Sequence, residues 1–200
     1  MTVCRRLLAA GLRTFAPLAV FLTAACGLIY LAAQQVLRAS ANDAPTQLAE
    51  DAVASLKAGQ MPEALKTGAK VDMERSLSPF LIYLDEKGQV VAATAELNGK
   101  TPVPPAGVLG AAREHGVDRI TWSPARGARS ATCVIAFDAA KPGFVVAGKS
   151  LRETQAHIGM IGNLIFMGWA VSMAALFVAV AGGALLAERI EVSKIRPATA

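Results

Sequence analysis

Two long stretches of this chain carry no charged residue, and they limit its possible folds more than any other feature. Thr14 to Leu37 reads TFAPLAVFLTAACGLIYLAAQQVL, and Ile158 to Ala187 reads IGMIGNLIFMGWAVSMAALFVAVAGGALLA. A helix rises about 1.5 Å per residue and the hydrocarbon core of a bilayer is about 30 Å thick, so roughly 20 apolar residues cross it. Both runs are long enough, and the second has residues to spare for a tilt. The spacing predicts five segments: a tail 1–13, a first span 14–37, a domain 38–157, a second span 158–187 and a tail 188–200.

A cleaved leader is the competing reading of the first run. Arg5 and Arg6 would be its basic start, and Thr23-Ala24-Ala25-Cys26 loosely resembles a lipoprotein cleavage site. Yet the apolar run continues past Cys26 through Leu31, where a cleavage site would end it. Thr23 also stands where such signals carry leucine. An uncleaved anchor is the expectation.

Charge gives an orientation. Arg5, Arg6 and Arg13 precede the first span, and Arg189, Lys194 and Arg196 follow the second. Between Ala39 and His157 the chain carries 13 basic and 13 acidic residues, so the net charge of +5 comes from Arg38 and the tails. Basic flanks stay in the cytoplasm, which predicts both termini inside and the middle region outside. The basic balance therefore follows from topology and gives no reason to invoke nucleic acid. Cysteine usage agrees: Cys4 lies in a tail, Cys26 in a span and Cys133 in the middle region, where it has no partner for an internal disulfide. Cys133 lies in the β-prone run A-T-C-V-I-A-F and reads as a small buried hydrophobe.

The middle region is long enough for one domain with its own core. Asn42 or Asp43 as cap, Pro45 in the first turn and Leu48, Ala52 and Leu56 at four-residue spacing predict a helix ending near Gly59. A short helix is expected from Pro62. The period then changes. P-F-L-I-Y-L, the turn D-E-K-G and Q-V-V-A-A-T-A predict a β-hairpin over 80–95. Prolines in L-N-G-K-T-P-V-P-P predict a loop. A helix from Ala106 to His115 should stop at Gly116. R-I-T-W, A-T-C-V-I-A-F and F-V-V-A-G-K predict three more strands, and L-R-E-T-Q-A-H a helix running into the second span. The fold class is α+β: an antiparallel five-stranded sheet with helices on one face, flanked by two transmembrane helices.

Residues 143–150, G-F-V-V-A-G-K-S, match the phosphate-loop pattern G-x-x-x-x-G-K-[ST]. In such a loop the four variable positions curl so that backbone N–H groups face the phosphates. Here they are Phe144, Val145, Val146 and Ala147, mostly strand formers in a hairpin context. The structural reading is a sheet strand opened by Gly143.

No residues point to an enzyme, a metal site or a cofactor. His115 and His157 are the only histidines, and no pair has metal-ligand spacing. Asp85 and Glu86 fit a turn better than an acid–base pair. The candidate ligand set is Tyr83, Trp122, Arg129 and Lys149, from four strands or their ends. Aromatics with cations suit a carboxylate ligand; the competing reading makes Tyr83 and Trp122 core and the cations surface. Ala19, Thr23 and Gly27 in the first span, and Ala175, Ala179 and Gly183 in the second, form small-residue ladders. Such ladders predict close packing, either of the two spans or of a homodimer.

An anchor, a long helix, F-L-I-Y-L-D-E-K-G-Q-V-V-A-A-T, then D-R-I-T-W and finally G-F-V-V-A-G-K-S-L-R-E before a second span resemble the extracytoplasmic Cache domains. These are the PAS-like sensor modules of bacterial kinases and chemoreceptors. The resemblance covers about residues 40–157. It implies the bacterial cytoplasmic membrane and a small-molecule pocket between the sheet and the segment joining its second and third strands. Glu188 to Ala200 is expected to be too short for an output domain, so any signal would pass to a separate cytoplasmic-output partner. The expected function is a sensor-like domain that binds a small molecule or protein. The alternative is an assembly subunit of a membrane complex whose domain is a docking surface. An enclosed pocket with converging polar groups would favour the first; a filled core with an exposed apolar patch would favour the second.

Overall fold

The computed structural model describes the backbone of residues 2–195 and the side chains of residues 11, 13–187, 189 and 190. The side chains of Cys4, Arg5, Arg6 and Lys194, and the whole of Arg196, lie outside the described residues. The chain divides into two compact units, a helix pair and a domain spanning Gln35–His157.

The helix pair is made by α1 (Thr2–Ser40) and α5 (Arg152–Ile195). Both are long and apolar enough to cross a membrane. Many of their apolar side chains point outward, with Phe21 73 % and Val178 68 % exposed, and no described residue covers these. The two helices meet along one antiparallel seam. A Cβ on Gly11 would stand 3.3 Å from Val180, and one on Gly162 would stand 3.2 Å from the ring of Tyr30. Between these ends, Phe15 and Phe177 meet edge to face at 6.4 Å. The Trp169 indole N–H donates to Thr23 Oγ1 at 3.1 Å. The glycines let a ring or branched side chain of one helix reach the backbone of the other, which is how apolar helices gain contact where water supplies no driving force.

The domain is built on a five-stranded antiparallel sheet. Its strands are β2 (Phe80–Asp85), β3 (Val90–Ala93), β5 (Val117–Ala125), β6 (Ala128–Phe137) and β7 (Gly143–Ser150), in the order β3-β2-β7-β6-β5. The first and last of these, β2 and β7, lie side by side at the centre, paired from Phe80↔Gly148 to Asp85↔Gly143. Their sequences are apolar at consecutive positions, and every residue from Phe80 to Leu84 and from Gly143 to Gly148 is buried. A strand that hides both its faces needs cover on both.

Two layers supply that cover. Helix α2 (Asp43–Lys57) lays Ala49, Ala52 and Val53 against Leu81, Tyr83, Cys133, Phe137, Val145 and Ala147. On the opposite face α4 (Ala106–His115) contributes Ala112, with Leu109 packed behind it, against Phe80, Ile82, Leu84, Trp122, Val134, Phe144 and Val146. The expectation of helices on one face is thus corrected: the sheet is sandwiched, because its central strands are apolar on both sides.

Two further differences from the sequence reading matter. A two-stranded parallel ladder, β1 (Val71–Asp72) with β4 (Ala95–Glu96), lies on the α4 side and buries Met73 and Ala95. The turn expected over S-P-A-R-G is shorter: β5 continues to Ala125, and Arg126–Gly127 closes the hairpin with Gly127 at φ 88°. The expected hairpin over 80–95, the short helix α3 (Glu63–Lys66) and the end of α4 at Gly116 are all present. Asn42 does not cap α2; its side-chain amide instead reaches back to the Arg38 carbonyl at 3.4 Å.

Candidate functional site

Residues 143–150 form strand β7 along their whole length, with the N–H and C=O groups of the central positions paired to β2 and β6. Gly148 sits opposite both Phe80 and Thr132. A Cβ there would stand 2.7 Å and 2.9 Å from two carbons of the Phe80 ring, and closer still to a third. The glycine is required by the ring above it.

Alternation along the strands separates the candidate ligand residues. Trp122 pairs with Ser130 and points to the α4 face, where it is 7 % exposed and tilted against Phe80 at 6.4 Å. Tyr83 points to the α2 face and packs on Phe137 with ring centroids 5.9 Å apart. Arg129 and Lys149 share the parity of the α2 face but lie at the far end of the sheet from Tyr83. Lys149 forms an ion pair with Glu153 at 3.2 Å, and Arg129 is exposed. The four side chains do not converge on one point.

The space between the sheet and the segment joining β3 to β5 is occupied by Phe80, Ile82, Leu84, Trp122 and Phe144 packed under Ala112 and Leu109. Among the described residues, no buried side-chain nitrogen or oxygen lacks a hydrogen-bond partner. Ser130 and Thr132, both buried, bond to each other at 3.0 Å, and Ser130 donates to the Trp122 carbonyl at 3.3 Å. A buried pair satisfied in this way stabilises the core and leaves no free donor for a ligand.

The concavities are open and lie at the ends of the sheet. One, about 700 Å³, is on the α2 side. Leu56, Met61, Val91, Phe137 and Pro142 give it an apolar lining, and Lys87 and Lys141 stand among its polar residues. Tyr83 also lines it. Its side chain is almost wholly buried, at 6 % exposure, and its hydroxyl bonds to no protein group. Beside this cleft runs β3, an edge strand on which Val90 and Val91 are 40 % and 53 % exposed. A second cleft, about 350 Å³, is bordered by Arg113, Asp138 and Phe144. There the Arg113 guanidinium sits 5.2 Å from the centroid of Phe144 and donates to the Glu86 carbonyl at 2.9 Å. A third, about 220 Å³, lies between the end of α1 and the start of α5 and is lined by Lys149, Ser150, Glu153, Thr154 and His157.

Cys133 faces α2 and is buried. Burial pushes its thiol pKa up; a hydrogen bond with Thr46 and the Arg119 charge act in the opposite direction. Arg119 itself donates from Nε to Thr46 Oγ1 at 3.2 Å. Among the described residues no three His, Cys, Asp or Glu side chains are grouped to hold a metal ion.

The small-residue ladders of the spans divide in a similar way. Ala19 is half-buried on the seam, and Thr23 reaches Trp169 across it. Gly27, Ala175, Ala179 and Gly183 are exposed on the outer surfaces of the pair. The seam is made by larger groups, and sequence spacing alone offered no sign that Gly162 and Tyr30 would meet.

No protein-family model, curated protein or solved structure matches this chain.

Proposed function

We propose that this is an integral membrane protein with two spans, α1 and α5, and a non-enzymatic extracytoplasmic domain that docks a protein partner within a membrane complex. The observation that carries this reading is the open apolar cleft beside the exposed edge of β3. An edge strand offers unpaired backbone N–H and C=O groups, and a neighbouring apolar groove supplies side-chain pockets. That combination accepts an extended protein segment. Both sheet faces are meanwhile closed by packed side chains, as a docking module requires and an enclosed ligand pocket does not allow. The basic residues Arg5, Arg6, Arg13 and Arg189 beside the spans support a topology with both termini in the cytoplasm.

One observation favours a small-molecule sensor as the second reading. The Tyr83 hydroxyl is the one polar atom of a buried ring and is free to meet a ligand in the cleft. The test places a photo-crosslinking residue at Val91 in the full-length chain in its native membrane. A discrete protein adduct, absent when the probe is moved to exposed Leu77, supports docking. The same preparation is then heated with a panel of amino acids, carboxylates and amines. A saturable rise in Tm, lost in Tyr83→Phe, with no adduct at Val91, would replace docking with sensing. Labelling of Ser76→Cys by a membrane-impermeant maleimide on intact cells checks the topology.

A further inference from the structure

The domain has a charged end, and it is the end where the chain joins the two apolar helices. Leu37, Ser40 and Ala41 of α1 and Glu153, Thr154 and His157 of α5 line one cleft of the domain. Around them the fold gathers cations from distant parts of the sequence. Arg38 belongs to the last turns of α1. Arg126 sits on the tip of the β5–β6 turn. Arg129 opens β6, and its carbonyl accepts the Leu151 N–H at 2.9 Å, which brings it to the start of α5. Arg152 begins α5 and donates to the Arg75 carbonyl at 2.6 Å.

Two of the carboxylates at this end are taken by other cations. Asp72 pairs with Arg75 at 3.9 Å and Glu153 with Lys149 at 3.2 Å. Glu74 lies against Gly127, and Asp43 opens α2. Arg38, Arg126, Arg129 and Arg152 are exposed, and none forms an ion pair with a carboxylate. At the opposite end of the sheet the acidic Asp85, Glu86 and Asp138 stand among the cations Lys87, Arg113 and Lys141.

We propose that this arginine collar binds the phosphates of anionic lipid headgroups in the bilayer that the two helices cross. The inference rests on the membrane reading above. Its chemistry is direct. Guanidinium groups match phosphate oxygens in a fork geometry, and a cation near an anionic membrane surface is attracted to it. Covalent continuity holds Arg38 and Arg152 close to the ends of the apolar segments. Their side chains are long enough for the apolar stems to lie along the helices while the charged heads meet the headgroups. The collar would seat the domain on its membrane independently of any partner at the distant β3 cleft.

The test uses the full-length chain in neutral detergent, titrated with phosphatidylglycerol or phosphatidylcholine, with Tm and lipid retention by native mass spectrometry as readouts. Phosphatidylglycerol should raise Tm and remain bound, and phosphatidylcholine should do neither. Arg126→Gln with Arg129→Gln should raise the phosphatidylglycerol concentration for half-effect on the order of tenfold. The matched pair Lys87→Gln with Lys141→Gln, at the other end, should leave it unchanged. An equal response to both lipids, or an unchanged arginine variant, overturns the proposal. Inorganic phosphate that reproduces the shift at equal concentration also overturns it, in favour of a soluble anion. A carbonate wash of membranes separates the two levels of failure. A chain released by carbonate is not integral, and both readings fall; a chain retained but indifferent to phosphatidylglycerol removes only the lipid site.

Discussion

Gly148 lies directly beneath the ring of Phe80, and no other residue fits there. A Cβ would come within 2.7 Å of Cε1 and 2.9 Å of Cε2, and the ring is itself buried and packed against Trp122 at 6.4 Å. Gly148→Ala should therefore destabilise the domain by about 1–3 kcal/mol, the usual cost of overpacking a filled core. Denaturant unfolding of the full chain in detergent measures it. A stability-neutral alanine would undo the packing account of this glycine, which otherwise belongs to a phosphate-loop spelling.

Thr94 extends the β2–β3 ladder with its side chain. Its Oγ1 accepts the buried Leu81 N–H at 2.8 Å and donates to the Leu81 carbonyl at 3.3 Å, while its own N–H reaches that carbonyl at 2.8 Å. Thr94→Val keeps the shape and leaves a buried N–H without an acceptor. The expected loss is about 1–3 kcal/mol, and Thr94→Ser should recover most of it. If serine is no better than valine, the hydroxyl is not the cause.

Cys133 should resist thiol reagents in the folded chain and react on unfolding, since it is 1 % exposed. Its folded pKa is raised, so the fold favours the neutral thiol. The sign follows: this contribution is fully present below the unfolded thiol pKa of about 8.5 and is lost as pH rises through the folded value. Cys133→Ala should flatten the alkaline decline in stability. An identical decline in both proteins would assign it to other groups.

Trp169 and Thr23 join the two apolar helices through one hydrogen bond of 3.1 Å, and Thr23 also donates to the Ala19 carbonyl at 2.7 Å. Such bonds between apolar helices average about 0.6 kcal/mol. A double-mutant cycle of Trp169→Phe and Thr23→Val, read by unfolding in detergent, should give a coupling of that order. Zero coupling would mean that ring packing alone sets the seam at this level.

Much of the fold was legible from local signals. The hairpin over 80–95 announced itself through two apolar runs around D-E-K-G, and α4 through its length and its stop at Gly116. The two-sided burial of β2 and β7 was also readable, since neither F-L-I-Y-L nor F-V-V-A alternates with polar residues. That pattern requires cover on both faces, which the one-sided expectation overlooked. The β1–β4 ladder was not readable. It joins two-residue segments far apart in the chain, too short for any periodicity.

The candidate site was legible only as a set of residue types. Tyr83, Trp122, Arg129 and Lys149 were each placed on the correct strand or strand end. Whether they meet depends on register, and a shift of one residue reverses the face of every side chain. The decisive detail was the irregularity between Trp122 and Ala125: the two-residue turn Arg126–Gly127 alone would pair Trp122 with Ala131, and a one-residue shift pairs it with Ser130 instead.

The sequence alone determined two apolar helices, an α+β domain between them and the extended state of residues 143–150. Each follows from composition and spacing within a few turns or strands of chain. The tertiary structure alone decided that Trp122 faces away from Tyr83, that Gly11 and Gly162 form the helix seam while Gly27 and Gly183 do not, and that four unpaired arginines gather at one end of the sheet. Those outcomes depend on pairings between distant residues, whose energies are comparable in many registers until the whole core closes on one of them.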